Sequence, residues 1–307
     1  MSMRNPAAMP SLYMGIDGGG SGLRVAIADA ELTLYGQAEG PPANPSAVGR
    51  ERAAAIVQAA MRAALGDLPP RAVAAVGIGL AGAAASHSGD WLREVVGVVL
   101  PEARVAPSAD YEIALVGALG RQRGLLVLAG TGALAYGVND LGESALAGGW
   151  GYLLGDEGSG YWLGLEGLRA VLRAEDGRGP ETMLSAGLLP ALGLDAARDL
   201  IPWLYRATAS RTAQVASLAP RVLDAARQGD ACAAAIISAG AGELAQAAQA
   251  VMRRLAMSAP QIAFAGGLLR APNPLSDALC QLLALDRTPQ PLYPPVIGAV
   301  LLARESS

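Results

Sequence analysis

The amino-acid sequence predicts an α/β protein whose two halves follow a related plan. In the first half, three short apolar runs separated by turn residues precede an alternation of helical and strand patterns. Near Gly124 a second pair of apolar runs, again joined by a glycine-containing corner, starts the pattern anew. Strands followed by alternating helices and strands are typical of layered α/β domains, and 307 residues are enough for two domains of ordinary size.

The elements of the first half are predicted from short apolar runs bounded by glycine and aspartate for strands, and from helically spaced apolar residues for helices. The predicted strands are Tyr13–Asp17, Leu23–Asp29, Leu32–Ala38, Val73–Leu80 and a brief one at Arg104–Val105, and the predicted helices are Arg50–Leu65 and about Trp91–Leu100.

The second half is predicted to be larger and more helical. Its predicted strands are Gly124–Leu128, Leu134–Val138 and Ile262–Ala265, residues 159–254 are mainly helical, and a last helix covers about Ile297–Ala303. We expect a first lobe of residues 1–115 and a second lobe of residues 116–307, with the last helix able to pack back on the first lobe.

The absence of lysine removes several enzyme classes, because all 23 basic residues are arginine. A P-loop, a protein-kinase site and a pyridoxal enzyme each need a lysine. With a single histidine present, general-base chemistry at neutral pH falls mainly to aspartate and glutamate. Any phosphate site must therefore use backbone N–H groups, hydroxyls, arginine or a metal ion.

Charge and apolar content indicate what the chain is not expected to bind. A net charge of −4 argues against a nucleic-acid partner, which requires a basic patch. The charge-free run 72–89 contains glycines and a polar end, so it is interpreted as a buried strand with a loop and not as a membrane span. Residues 1–10 lack the apolar core of a secretory signal, so a cytoplasmic location is expected.

The two cysteines and the histidine are expected to have no ligand role. Cys232 and Cys280 lie far apart in apolar helical patterns, which is typical of buried free thiols. His87 lies in a Ser/Gly run that is interpreted as a loop. A lone histidine without a cysteine pair cannot build a structural zinc site.

The run DGGGSG, residues 17–22, directly follows the first predicted strand. Consecutive glycines let backbone N–H groups approach an anion without interference from side chains, and Asp17 is a hard oxygen ligand suited to Mg²⁺. Taken alone, the run is explained equally well as a glycine-rich hairpin turn.

The run AGTGA, residues 129–133, follows the strand that opens the second half. It matches part of a dinucleotide-binding fingerprint, but that fingerprint should open a helix and the next residues have a strand pattern. A phosphate-binding hairpin is the preferred interpretation, in which Thr131 adds a hydroxyl to the backbone donors.

Asp110, in PSAD, follows a short strand and opens a helical run. A helix N-cap, worth about 1 kcal/mol, accounts for an aspartate at this point. Its position between two candidate phosphate loops also suits a general base that accepts the proton of an attacking hydroxyl. The two roles are compatible.

The stretch GGWGYLLGDEGSG, residues 148–160, is a long loop with a tryptophan and two carboxylates. Such a loop is costly to order unless it has a function. Acidic acceptors for hydroxyls and an aromatic ring for the apolar face of a sugar are typical of polyol sites, whereas a solvated turn is the alternative.

Taken in order, GIDGGGSG, PSAD, LAGTGA, GGWGYLLGDEGSGYWLG and FAGGLL resemble the motifs of the N-acetylglucosamine/glucosamine kinase family, from about Tyr13 to Ala303. The resemblance implies a two-lobed actin-like (ribonuclease H-like) sugar-kinase fold, in which each lobe is a mixed sheet with flanking helices. It implies ATP and Mg²⁺ as cofactors. It also implies transfer of the γ-phosphoryl to the 6-hydroxyl of an amino sugar, N-acetylglucosamine first and glucosamine next, between lobes that close and exclude water.

The resemblance also implies roles for the residues that match the family motifs. Asp17 would hold Mg²⁺ through its water shell, and Asp110 would be the catalytic base. The phosphate loops would be formed by Gly18, Gly19, Gly20 and Ser21 in the first lobe and by Gly130, Thr131 and Gly132 in the second, with Gly266 and Gly267 beside the adenosine. The sugar would contact Asn44, Asp110, Gly149, Trp150 and Asp156. One departure is Ala133, where better-known members have serine, which is expected to alter nucleotide affinity.

Two alternatives stay open. An ATPase activator of a 2-hydroxyacyl-CoA dehydratase-type enzyme would share the glycine loops, but it needs cysteines for an iron–sulfur cluster, and Cys232 and Cys280 show no such arrangement. A non-catalytic sugar sensor would keep the sugar loop, although the residues before the first strand are too few for a helix-turn-helix. The apolar helical half leaves room for a homodimer.

Overall fold

The computed structural model describes residues 10–19, 22–82, 85–206 and 211–306, with the backbone alone at 85–88. The chain divides into two compact α/β units. One contains the chain up to Arg123 together with residues 291–307, and the other contains Gly124–Gln290. The boundary between the units comes after the helix Asp110–Leu119, at Arg123, and not inside that helix at residue 115. The hydrogen bonds of the helix therefore all lie within the first unit.

The helices and strands are numbered along the chain. The first unit contains β1 (Leu12–Gly18), β2 (Leu23–Ala28), β3 (Leu34–Gly40), α1 (Pro45–Val48), α2 (Arg50–Leu65), β4 (Val73–Leu80), α3 (Ala85–Gly97), β5 (Arg104–Ser108) and α4 (Asp110–Leu119). The second contains β6 (Gly124–Ala129), β7 (Ala133–Val138), β8 (Ser144–Gly148), α5 (Gly160–Glu175), α6 (Leu184–Ala191), α7 (Leu200–Tyr205), α8 (Arg211–Ala216), α9 (Ala219–Arg227), α10 (Ala231–Arg254), β9 (Ile262–Ala265) and α11 (Pro274–Leu282). The last helix, α12 (Pro295–Glu305), belongs to the first unit.

The sheet of the first unit has the order β3-β2-β1-β4-β5. Strands β1, β2 and β3 form an antiparallel meander, and β4 and β5 run parallel to β1. The strand register aligns Asp17 with Gly79 and Gly79 with Ser108. The carboxyl ends of β1, β4 and β5 therefore lie at one edge of this sheet.

Helix α12 lies directly on that sheet because glycines remove the intervening side chains. A Cβ on Gly77 of β4 would lie 2.0 Å from the carbonyl oxygen of Ala299, and one on Gly15 of β1 would lie 2.1 Å from that of Val296. The helix buries Val296, Ile297, Val300 and Ala303 in a cluster with Tyr13, Ala26, Ala28 and Ala75. The last helix is thus part of the core of the first unit.

The second unit repeats the plan of a meander with an added parallel strand. Its sheet has the order β8-β7-β6-β9, in which β6, β7 and β8 are antiparallel neighbours and β9 runs parallel to β6. Helices pack on this sheet through one large apolar cluster that includes Leu125, Leu163, Ile237 and Phe264. Among the residues described, α10 is the one helix long and apolar enough to cross a membrane, and it buries a face that includes Ile237, Leu244 and Val251 in this core.

Several local features differ from the sequence prediction. Strand β8 and helix α11 were not predicted, because β8 is short and rich in alanine and glycine and α11 follows a glycine- and proline-rich segment. Helix α3 begins at Ala85, well before Trp91, so His87 lies in a helix and not in a loop. Cys232 and Cys280 are both free thiols, as predicted, but Cys280 is buried whereas Cys232 is only partly buried.

Candidate functional site

Two of the predicted carboxylates lie at the carboxyl edge of the first sheet. Asp17 is the penultimate residue of β1, and its register partners across the sheet are Gly79 and then Ser108, the last residue of β5. With about 4.8 Å between neighbouring strands, the backbones at Asp17 and Ser108 are separated by about 10 Å. Asp110 follows Ser108 closely, so the parallel pairing brings Asp17 and Asp110 to the same edge.

Asp110 is the first residue of α4, and Ala109 occupies the cap position that the sequence suggested for it. The backbone N–H of Ala109 donates to the carboxylate of Glu112 at 2.7 Å, so Glu112 closes the start of the helix and Asp110 does not. The Asp110 side chain is partly buried. Burial raises its pKa above the ordinary aspartate value, the N–H groups of Asp110 and Tyr111 oppose this, and the charge of Glu112 adds to it. A carboxylate with a raised pKa is a stronger base.

The glycine corner between β1 and β2 is partly described. The carbonyl of Gly18 accepts from the N–H of Ala81 at 2.7 Å, and the N–H of Gly19 donates to the carbonyl of Gly22 at 2.9 Å. Among the described residues, a Cβ added to Gly19 would meet no atom within 4 Å other than those of its chain neighbours. Gly20 and Ser21, predicted phosphate-loop residues, lie outside the described residues.

Asn44 lies at the same edge of the first sheet. It caps α1, its Oδ1 accepting from the N–H of Ser46 at 2.9 Å. That oxygen also lies 2.3 Å from where a Cβ on Gly82, just beyond β4, would stand. A helix cap explains the orientation of the amide oxygen, and the packing on Gly82 brings Asn44 to the end of β4.

The carboxyl edge of the second sheet gathers the glycine loops of that unit. Residues 130–132 follow β6, Gly266 follows the parallel strand β9, and Gly149 follows β8, which runs in the direction of β6. Gly266 has φ +85°, and a Cβ there would lie 2.1 Å from the carbonyl oxygen of Ala129. At Gly130 and Gly267, in contrast, no atom of the described residues outside the chain neighbours lies within 4 Å of an added Cβ.

The loop after β8 starts on the second glycine corner and then turns outward. The N–H of Gly149 donates to the carbonyl of Ala133 at 3.0 Å. Trp150 is 77% exposed, and Leu153 and Leu154 are exposed as well. A large, rigid aromatic face held outside the apolar core is available to a ligand.

Asp156 ends this outward turn and is buried, with 8% of its surface exposed. Its backbone has φ +59°, which is uncommon for a residue with a side chain. Burial raises the pKa of Asp156, while hydrogen bonds from the N–H groups of Ala133 and Gly151 oppose the rise and the charge of Glu157 adds to it. The carboxylate therefore joins two segments of the same unit.

The start of α5 fastens the second glycine corner, a contact that sequence reasoning missed. Ser159 caps the helix by accepting from the N–H of Trp162 at 3.2 Å. The N–H of Gly160 donates to the carbonyl of Gly130 at 2.7 Å, and that of Tyr161 donates to Thr131 at 3.4 Å. The signal that could have revealed it is the serine cap at the end of the GDEGS run.

Each unit thus carries a glycine corner at the carboxyl edge of a mixed sheet whose meander is extended by a parallel strand, which is the plan of the actin-like ATPases and sugar kinases. The predicted fold class is confirmed. The chain belongs to the BadF/BadG/BcrA/BcrD ATPase family, whose model matches residues 14–303.

Proteins similar in sequence to this chain include kinases of amino sugars. The chain is 32% identical over 305 residues to an N-acetylmuramic acid/N-acetylglucosamine kinase of Clostridium acetobutylicum, covering 95% of this chain and 97% of that protein. It is 28% identical over 317 residues to an N-acetyl-D-glucosamine kinase of Dictyostelium discoideum, covering 96% and 98%.

Solved structures with the same fold include a proposed amino-sugar kinase. The crystal structure of a proposed N-acetylglucosamine kinase from Chromobacterium violaceum superposes with a TM-score of 0.78 at 32% identity, covering 96% of this chain and 99% of that one. A ROK family glucokinase from Streptomyces griseus, at 18% identity and a TM-score of 0.58, shares the fold and covers 96% and 99%.

Proposed function

We propose that this protein transfers the γ-phosphoryl group of ATP to the 6-hydroxyl of an amino sugar, with N-acetylglucosamine the first-choice substrate and glucosamine the next. The observation that carries the proposal is Asp110, a partly buried carboxylate of raised pKa at the sheet edge that also holds Asp17 and Asn44. The full-length similarity to amino-sugar kinases supports the choice of acceptor.

The proposed chemistry needs one base and a set of charge-stabilising donors. The sugar hydroxyl oxygen attacks the γ-phosphorus, the bond between that phosphorus and the β–γ bridging oxygen breaks, and ADP leaves. Asp110 accepts the proton of the hydroxyl. Asn44, Gly149 and Trp150 are proposed to contact the sugar, and Asp156 is predicted to do so as well.

The glycine corners are proposed to hold the nucleotide. Gly18 to Ser21 and Gly130 to Gly132 would surround the phosphates with backbone donors, and Gly266 and Gly267 would lie beside the adenosine. The open space at Gly19, Gly130 and Gly267 is compatible with this proposal, since among the described residues no atom outside their chain neighbours lies within 4 Å of an added Cβ.

Mg²⁺ fits the residues present. Within the described part of the chain there is no group of three or more His, Cys, Asp or Glu side chains placed to hold a metal ion. Mg²⁺ commonly binds through one or two carboxylates, several waters and substrate phosphates, so Asp17 suffices as the protein ligand. When bound, the ion would neutralise charge on the β- and γ-phosphates. A homodimer, a cytoplasmic location and the absence of nucleic-acid and membrane partners stay predictions.

An ADP-release assay with Mg-ATP tests the proposal against N-acetylglucosamine, glucosamine, N-acetylmannosamine, glucose and no sugar. One amino sugar should stimulate turnover. Asp110→Asn should lower kcat about 10²–10⁴-fold with sugar binding retained, because the amide cannot accept the proton. The matched control is Asp67→Asn, an exposed aspartate just before β4, which should leave kcat unchanged.

A rate of ADP release that is the same with and without each sugar would refute the kinase proposal. An anaerobic absorption spectrum showing an iron–sulfur cluster would then favour the activator ATPase. Sugar binding without any turnover in the wild-type protein would instead favour the non-catalytic sensor.

A further inference from the structure

The surroundings of the Asp156 side chain differ from those expected of a residue whose only role is to contact a sugar. A side chain that only contacts a small polar substrate needs its acceptors open to that substrate. Asp156 is instead 8% exposed and already hydrogen-bonded within the second unit. Its partners, the N–H groups of Ala133 and Gly151, belong to two different segments of that unit.

The first of these segments is the second glycine corner. A Cβ on Gly132 would lie 2.8 Å from Oδ2 of Asp156, 3.2 Å from Cγ and 3.4 Å from Oδ1. The carboxylate thus occupies the space beside the Cα of Gly132 and bonds the next N–H along the chain. A side chain at Gly132 would therefore contact the carboxylate of Asp156 too closely unless that carboxylate moved.

The second segment is the turn that carries Trp150. Gly151 donates to Asp156 through its N–H, and its carbonyl accepts from the N–H groups of Leu154 and Gly155 at 3.1 and 2.9 Å. One carboxylate therefore links the proposed sugar loop to the proposed phosphate loop.

The backbone conformation and the burial of Asp156 favour a functional role for this link. A left-handed backbone is unfavourable for most residues with a side chain, although aspartate adopts it more readily than most, and burial of a carboxylate carries a further cost. Asp156 carries both features. Such strain persists where the surrounding structure compensates for it, and strained residues concentrate at functional sites.

We infer that Asp156 is a positioning residue that holds the second phosphate loop, residues 130–133, in its nucleotide-binding shape by tying it to the loop of Trp150. The inference rests on the proposed function for the identity of the two ligands. Its consequence is specific: replacing Asp156 should weaken nucleotide binding even when no sugar is present, which loss of a sugar contact alone would not do.

The experiment measures the affinity of the full-length protein for ADP and for a non-hydrolysable ATP analogue by isothermal titration calorimetry, without sugar. Asp156→Ala should weaken binding about tenfold, the loss expected for a hydrogen bond to a charged group, and Asp156→Asn should lose less because one oxygen acceptor remains. Asp195→Ala, which removes an exposed carboxylate from the same unit, is the matched control and should bind nucleotide as the wild type does.

The outcomes separate this inference from the proposed function. Unchanged nucleotide affinity in Asp156→Ala, with only the KM for sugar raised, would overturn the positioning role and leave Asp156 as a sugar ligand. Weakened nucleotide binding in a protein whose wild type shows no sugar-dependent turnover would support the positioning role while refuting the kinase. If Asp156→Ala does not fold, as judged by far-UV circular dichroism, the isosteric Asp156→Asn decides by the same measurement.

Discussion

Gly266→Ala should destabilise the second unit strongly, because two penalties coincide at this residue. Its φ of +85° is unfavourable for a residue with a side chain by roughly 1–2 kcal/mol. In addition, the new Cβ would lie 2.1 Å from the carbonyl oxygen and 2.5 Å from the carbonyl carbon of Ala129. These are backbone atoms of β6, so no rotation of a side chain can relieve the contact.

The magnitude follows from what must move. The end of β6 or of β9 would have to shift by about 1 Å, and overpacking of this kind costs about 1–3 kcal/mol. With the backbone penalty, the total is about 3 kcal/mol, which for a domain of this size lowers Tm by about 6–12 °C. Differential scanning calorimetry of the full-length protein measures the shift.

Gly267→Ala is the matched control, because in the described part of the chain an added Cβ at Gly267 has no neighbour within 4 Å beyond the adjacent residues. Its Tm should equal that of the wild type, while its affinity for ATP should fall if the nucleotide lies against this glycine. A Gly266→Ala variant that melts like the wild type, or a Gly267→Ala variant that melts as low as Gly266→Ala, would refute the reasoning.

Three further predictions follow from other contacts. Asp230→Ala should cost about 2–3 kcal/mol, since this buried carboxylate caps α10 and accepts from the Thr182 hydroxyl at 2.8 Å. Burial alone would raise the pKa of Asp230, but its hydrogen bonds lower that pKa below the ordinary value. The stabilisation by Asp230 is therefore present above its pKa in the unfolded chain and is lost as the pH falls through its pKa in the folded protein. Urea unfolding at several pH values measures both the loss of stability and its pH dependence. The raised pKa of Asp110 should make kcat/KM fall with decreasing pH at a higher pH than an ordinary aspartate would, and a flat acidic limb of the profile would contradict its role as base. Gly132→Ala should lower Tm in the wild type but much less in an Asp156→Ala background, where the methyl group has room, and equal effects in both backgrounds would disprove the contact.

Much of the fold could be predicted from local sequence patterns. Helix α2 and strands β4 and β9 have the predicted bounds, because apolar periodicity and their flanking turn residues are local properties. Strand β8 escaped prediction because alanine and glycine give it no apolar alternation. The start of α3 escaped it because serine and glycine are weak helix formers.

The candidate site, too, was only partly predictable from the sequence. The glycine corners and Asp110 were predicted from sequence because they follow strands directly, and the carboxyl end of a strand is a local feature. The cap at α4 was misplaced by one residue, because which residue caps a helix depends on the side chain of Glu112 reaching back to Ala109. That contact joins a side chain to the backbone three residues earlier, and the strand and helix patterns alone do not predict it.

By itself, the sequence determined the strand and helix periodicities, the family motifs and the chemistry left to a chain without lysine. Tertiary structure alone decided that α12 joins the first unit, where Gly15 and Gly77 let its backbone touch the sheet. It likewise decided that the carboxylate of Asp156 lies beside Gly132. Both contacts join segments that are separated in the chain, and their energy depends on close packing between those segments, which local propensity and spacing do not encode.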